Sequence, residues 1–154
     1  MNPYKHTQIG YLMLVVTLAV LAFFVWVYTM ALNEVPAVDS GPNLAVSAVM
    51  FFVIFILLSF AKLNVSIDEK YLKVKFGYGI FKKSFLVDEI VSAKIVKNKW
   101  YYGWGVRLWF WPRMFIYNVS GFDAVEIKMT NGKIYRIGTN QPQQLELEIN
   151  KQLK

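Results

Sequence analysis

The residue types that perform chemistry are scarce in this sequence. Its 154 residues include one histidine, His6, and no cysteine. Thiolate nucleophiles, disulfides and Cys-type zinc sites are thereby excluded, and the absence of cysteine fits a reducing compartment. Any Ser–His–Asp arrangement would have to recruit His6 from the N-terminal tail. The sequence contains no HExxH, P-loop or GxGxxG pattern, and Gly103-Trp104-Gly105 is only a short glycine pair. The paired carboxylates (Asp68/Glu69, Asp88/Glu89 and Asp123/Glu126) fall where the pattern places turns or the outer face of a strand. Solvated turns account for them. The residues predict a protein that is not an enzyme, with no cofactor and no metal site.

The unusual feature is aromatic. Four of the five tryptophans fall within Trp100–Trp111, WYYGWGVRLWFW, followed by Pro112-Arg113. Indole and phenol rings settle at the headgroup level of a bilayer, and arginines bind phosphate. Trp100, Tyr101, Tyr102, Trp104, Arg107, Trp109, Trp111 and Arg113 are therefore candidates for a membrane interface. The same residue types also form hot spots in protein interfaces, or fill a core. A small domain buries only about three or four such rings, so the segment is expected to divide between these roles.

Positive charge is the second feature. Before Lys62 the charged residues are Lys5, Glu34 and Asp39, whereas from Lys62 onward there are 16 Lys/Arg and 8 Asp/Glu. Lys70, Lys73, Lys75, Lys82 and Lys83 cluster on two neighbouring strands, with Lys94, Lys97 and Lys99 following. Such a face favours anionic lipid by about 1 kcal/mol per residue near a charged surface. Aromatics and lysines do not interleave along one strand face, so nucleic acid is not an expected partner.

The elements that position these groups read in two halves. Ile9–Leu32 lacks any charge, and as a helix would extend about 36 Å, enough to cross a hydrocarbon core of about 30 Å. That run is too long for a signal-peptide core of about 7–15 residues, although Val35-Pro36-Ala37 resembles a cleavage site. The polar connector Asn33–Asn43 carries Pro36, Gly41 and Pro42. Leu44–Ala61 is a second uncharged run, at the lower limit for a span. Residues 1–62 thus read as a two-helix transmembrane hairpin, with helices at about 9–32 and 44–61. Lys5, Lys62, Lys70 and Lys73 flank the spans while the connector has no basic residue, which predicts a multi-pass cell-membrane protein with both termini cytoplasmic. On that topology the sequons at Asn64 and Asn118 are chance matches.

Residues 63–154 change to period two. Val65 and Ile67 alternate with polar neighbours, as do Leu72, Val74 and Phe76. Further strands are expected at 81–86, 90–97 with Val91, Ala93 and Ile95 inward, 114–118, 124–129 and 133–137. Asn131-Gly132 signals a type I′ hairpin. Thr139 or Asn140 can cap a last helix, with Pro142 in its first turn and Leu145, Ile149 and Leu153 along one stripe. The expected fold class is an α+β membrane protein. It has a hairpin anchor and a barrel or sandwich of about seven strands closed by a C-terminal helix.

This order resembles bacterial pleckstrin-homology-like domains fused to a transmembrane hairpin. The resemblance is carried by Tyr71–Phe76 and Phe81–Leu86 with Val87-Asp88-Glu89-Ile90. It is also carried by Gly121–Ile127, Asn131-Gly132-Lys133, Arg136–Thr139 and Pro142. Lys70, Lys73 and Lys75 resemble the basic hairpin motif of phosphoinositide-binding members, which typically ends in Arg. The resemblance implies lipid, peptide or protein binding, with a peptide groove beside the last helix. Membrane lipids and a protein segment are the expected partners of an inner-leaflet interaction module. An accessory subunit of a larger membrane complex, assembled through the hairpin, is the alternative.

Overall fold

The structure is a computed structural model describing residues 4–33 and 44–153. Strand β1 (Tyr4–Ile9) precedes helix α1 (Tyr11–Asn33), and helix α2 (Leu44–Ser59) leads into strands β2 (Lys62–Ile67), β3 (Tyr71–Phe76) and β4 (Lys82–Leu86). Strands β5 (Ile90–Lys97), β6 (Gly105–Phe110), β7 (Arg113–Asn118), β8 (Asp123–Met129) and β9 (Ile134–Gly138) follow, before helix α3 (Pro142–Asn150). Of the connector, residues 34–43 with Pro36, Gly41 and Pro42 lie outside the described residues, as does the Val35-Pro36-Ala37 motif.

An uncharged run leaves a helix as the only way to satisfy its backbone groups in an apolar medium. Helix α1 has 23 residues, and only Thr17 is buried, its hydroxyl donating to the Met13 carbonyl at 2.7 Å. It is the one helix among the described residues long and apolar enough to cross a membrane. Helix α2 has 16 residues, about 24 Å. Where a pair of spans is expected, the described residues hold one helix of spanning length and a shorter apolar helix packed on it. The cause lies at both ends of the apolar runs. Phe60 and Ala61 leave the α-helix through bonds to the Leu57 and Leu58 carbonyls, and Ile9 belongs to β1.

The β-rich part forms two sheets and no closed barrel. One has the order β1-β2-β3-β4, and the other β5-β8-β9-β7-β6. Alternation fixes which faces meet. Leu63, Val65 and Ile67, with Leu72, Val74 and Phe76, point inward from the first sheet, opposite Val125, Ile127, Tyr135 and Ile137 of the second. Helix α3 packs on β5 and β8, with Leu145 and Ile149 fully buried.

The described residues form nine strands where about seven are expected. Strand β1 lies in what reads as a tail, and pairs with β2 from Tyr4↔Ile67 to Ile9↔Lys62. Strand β6 lies inside the aromatic segment and pairs with β7. Three local expectations are also corrected. A register shift between Ile90 and Ser92 rotates Val91 outward, leaving it 57% exposed, while Ile90 is buried; Ile95 is likewise exposed and only Ala93 packs on the core. At Asn131-Gly132 only the glycine has positive φ. The Gly132 N–H reaches the Met129 carbonyl and the Met129 N–H the Lys133 carbonyl, giving a three-residue loop instead of a type I′ turn. Finally, Gln141 precedes Pro142 at the helix start without a side-chain cap, and Thr139 Oγ1 accepts from the Gln141 N–H one step earlier.

The bulge gives a direct check. Ile137→Ala should destabilise the protein by about 2–5 kcal/mol. Val91→Ala should change stability by less than about 0.5 kcal/mol. Thermal unfolding in detergent separates the two outcomes.

Candidate functional site

The outer face of the four-stranded sheet gathers the lysines. Strand register sets three rows across it. Ile9 and Lys62 lie beside the helix ends, then come Thr7, Asn64, Lys75 and Lys82, then Lys5, Ser66, Lys73 and Ser84. At about 3.3 Å per residue the second and third rows stand about 7 and 13 Å from the first. Five lysines share the face, and the strands place no carboxylate on it. Of the candidates read from sequence, Lys73, Lys75 and Lys82 come together here. Lys83 registers with inward-facing Val74, so it leaves the set, and Lys70 sits in the β2–β3 turn. Lys5 and Lys62 are the members that sequence reasoning did not include. Strand parity would have found them, had β1 been recognised.

Asp68 in that turn anchors the far row. Its carboxylate accepts from Lys73 Nζ at 2.6 Å and from the Tyr71 and Lys70 N–H groups. Lys73 first, then the two backbone donors, hold its carboxyl below the ordinary carboxylate range.

The aromatic segment divides by position. A short 3-10 turn at Trp100–Tyr102 folds over the outer face of the five-stranded sheet. There Tyr102, Met114 and Ile116 are buried, with Trp109 packed on them. Tyr101 and Tyr102 contact the Trp109 ring at 5.5 and 4.8 Å. Arg136 lies over the Tyr102 ring and pairs with Glu126 at 2.8 Å. Tyr102 and Trp109 are thus structural. Trp104 is half-buried, and Arg107 Nε donates to its carbonyl. Trp100 and Trp111 are 75% and 89% exposed, and Tyr101 and Arg113 are exposed as well.

The two ends of the domain differ in polarity. Gly10 N–H donates to the Ala61 carbonyl, and Gly77 N–H to the Lys62 carbonyl, so the β3–β4 turn lies at the helix junction. Gln8 Nε2 donates to the Ser120 carbonyl, bringing the 119–122 loop to the same end. Exposed Tyr78, Ile80, Phe81, Trp100 and Phe122 sit in the loops of this end. The opposite end carries Asp68, Glu69, Asp88 and Glu89. Trp111 and Arg113, across β6 from Gly105, are about 17 Å from the junction along the strand. The aromatic segment therefore does not form one patch beside the helices.

A shallow cleft of about 510 Å³ at the junction end is lined by Lys97, Asn98, Trp100, Gly121, Phe122 and Asp123. Among the described residues no three His, Asp or Glu side chains gather to hold a metal ion. His6 lies in β1 with Nε2 at 2.5 Å from Asn140 Oδ1. The sequence matches no protein-family model and no curated protein.

Burial alters three phenols. Tyr117 is pushed up to about 12 by burial first and by Tyr135 second. Tyr4 is pushed up to about 12 by burial and then by Glu148, and burial also raises Tyr135. A raised folded-state value means that the unfolded chain loses the proton first. The resulting stability is fully present below pH 10 and is lost as pH rises toward 12. Tyr117→Phe should flatten that alkaline loss, measured by thermal unfolding between pH 9 and 12.

Proposed function

We propose that this chain is a membrane-anchored, non-catalytic interaction module whose lysine face binds anionic lipid headgroups. The observation that carries the reading is the set of five lysines on one sheet face, beginning at the helix junction. Lys62, Lys75 and Lys82 stand within about one Debye length (8–10 Å) of a bilayer that meets the junction. Lys5 and Lys73 stand farther out, and Asp68 already pairs with Lys73.

Chain connectivity supports two crossings. Strands β1 and β2 are hydrogen-bonded neighbours, so the start of α1 and the end of α2 share one side. If α1 crosses, α2 must return the chain. Lys5 before α1 and Lys62 after α2 favour the cytoplasmic side for the domain and both termini, in the cell membrane. Two packed sheets followed by a C-terminal helix support a PH-like fold for the domain, with β7 and β9 paired in parallel as a departure from an all-antiparallel order. Strand β6 is a free sheet edge with Val106, Leu108 and Phe110 exposed, and suits addition of a strand from a protein segment.

A second reading, an accessory subunit assembled through its helices, rests on the helix pair. Phe24, Val25, Tyr28, Ser47 and Met50 line an apolar cleft of about 250 Å³ between α1 and α2. A stoichiometric membrane partner retained in mild detergent would favour it.

The lipid reading is tested on the full chain in nanodiscs by lysine acylation and mass spectrometry. Anionic lipid should lower the labelling of Lys62, Lys75 and Lys82 several-fold relative to zwitterionic lipid, and high salt should restore it. Lys128 and Lys133 should not respond. Equal labelling in both lipids would overturn the reading.

A further inference from the structure

The β3–β4 hairpin ends in Gly77-Tyr78-Gly79-Ile80-Phe81, which has no charge and no hydrogen-bonding side chain except the Tyr78 phenol. A solvated turn is usually built from Asp, Asn, Ser, Gly and Pro. At the other end of the domain Asp68-Glu69 and Asp88-Glu89 are polar, while the β6–β7 turn carries exposed Trp111. Here Tyr78 and Ile80 are 57% and 51% exposed.

The tip is fixed in height against α2. Phe76 N–H donates to the Phe81 carbonyl at 2.8 Å, closing the hairpin, and Gly77 N–H donates to the Lys62 carbonyl at 2.8 Å. Gly77 has φ +39°, and a side chain there would strike the Ser59 backbone. Phe81 stacks on Phe60 at 4.9 Å, just past the end of α2. Tyr78 stacks on Phe55 at 5.5 Å with the rings 11° apart. Phe55 lies four residues before Ser59, so the Tyr78 ring reaches about 6 Å back along the apolar helix. The tip thus overlaps the last turn of α2 and does not stop at its end.

We propose that this tip is a membrane wedge, with Tyr78 and Ile80 inserted in the interfacial layer of the bilayer beside α2. The proposal rests on the reading that α2 lies in the bilayer. An apolar helix turn in lipid leaves any surface beside it facing lipid too, and Tyr suits the boundary because its ring is apolar and its hydroxyl polar. Lys75 and Lys82 oppose each other at the base of the hairpin. The aliphatic stem of Lys75 runs beneath Gly79, which has φ +93° and no Cβ to obstruct it. Its ammonium then reaches the phosphate layer while its stem stays with the apolar tip. The wedge adds an interfacial contact to the depth and tilt that the stiff helix–sheet junction gives the domain.

The chain has no cysteine, so single-cysteine variants report one position each. Nitroxide labels on Ile80→Cys, Leu21→Cys in the middle of α1, and Asn131→Cys at the far end of the domain are compared in zwitterionic nanodiscs. The readout is collision with oxygen, which concentrates in lipid, against a water-soluble nickel chelate. The Leu21 position should favour oxygen strongly, Asn131 should favour nickel, and Ile80 should favour oxygen at a shallower depth. An Ile80 label that matches Asn131 while Leu21 reports lipid overturns the wedge and leaves the anchor standing. An Ile80 label that loses both quenchers is covered by protein, which also overturns the wedge. A Leu21 label in water overturns the anchor and the wedge together. As a second arm, Tyr78→Asp should shift the Ile80 label toward nickel; no shift contradicts insertion.

Discussion

The β1–β2 ladder governs the rest of the molecule. One strand lies before the helices and the other after them, yet they pair residue for residue from Tyr4↔Ile67 to Ile9↔Lys62. The ladder continues into the junction, where the Gly10 N–H meets the Ala61 carbonyl at 2.8 Å. A side chain at Gly10 would come within 3.0 Å of the Phe60 carbonyl and 3.2 Å of Val119, so glycine permits the two backbones and the second sheet to meet. Both helices are consequently held to one edge of the β-rich part. The connection is two stiff strands and not a flexible linker, so the position of the sheets follows from the position of the helices.

That constraint gives the surfaces their meaning. A lysine face or an exposed aromatic has no defined neighbour on a freely tumbling domain. Here each loop has a fixed height above or below the helix ends. The uncharged β3–β4 tip lies at the junction end with Trp100 and Phe122 and with Lys97 and Asp123 in the cleft, and Asp68, Glu69, Asp88 and Glu89 lie at the opposite end with Trp111. Between them stands the lysine face, graded in distance from the junction.

Much of this was legible in the sequence, for identifiable reasons. Leu72, Val74 and Phe76 obey strict alternation, and Leu145 and Ile149 recur at helical spacing, so their elements and burial follow directly. Strand β1 was hidden because its inward positions are Tyr4, His6 and Gln8, which carry no apolar period; pairing with β2 holds it in place. Strand β6 was hidden because GVRLWF shows no apolar–polar alternation, with Arg107 its one charged residue. One face packs Trp109 on Met114, and the other exposes Val106 and Leu108. Val91 was misplaced by a bulge that no local residue announces. The lysine face was half legible, because Lys82 and Lys83 adjoin in sequence but parity admits only one of them. Within Trp100–Trp111, packing alone distinguishes Tyr102 from Trp100, since both are large aromatics two residues apart.

Thr7 and Asn64 oppose each other across the ladder, with their side chains bonded at 2.7 Å. The double variant Thr7→Cys/Asn64→Cys, oxidised in intact membranes, places the only two thiols of the chain at this pair. An intramolecular disulfide should form rapidly and shift mobility on a non-reducing gel. Failure to cross-link, with the two cysteines labelled from opposite sides of the membrane by an impermeant reagent, would contradict the pairing.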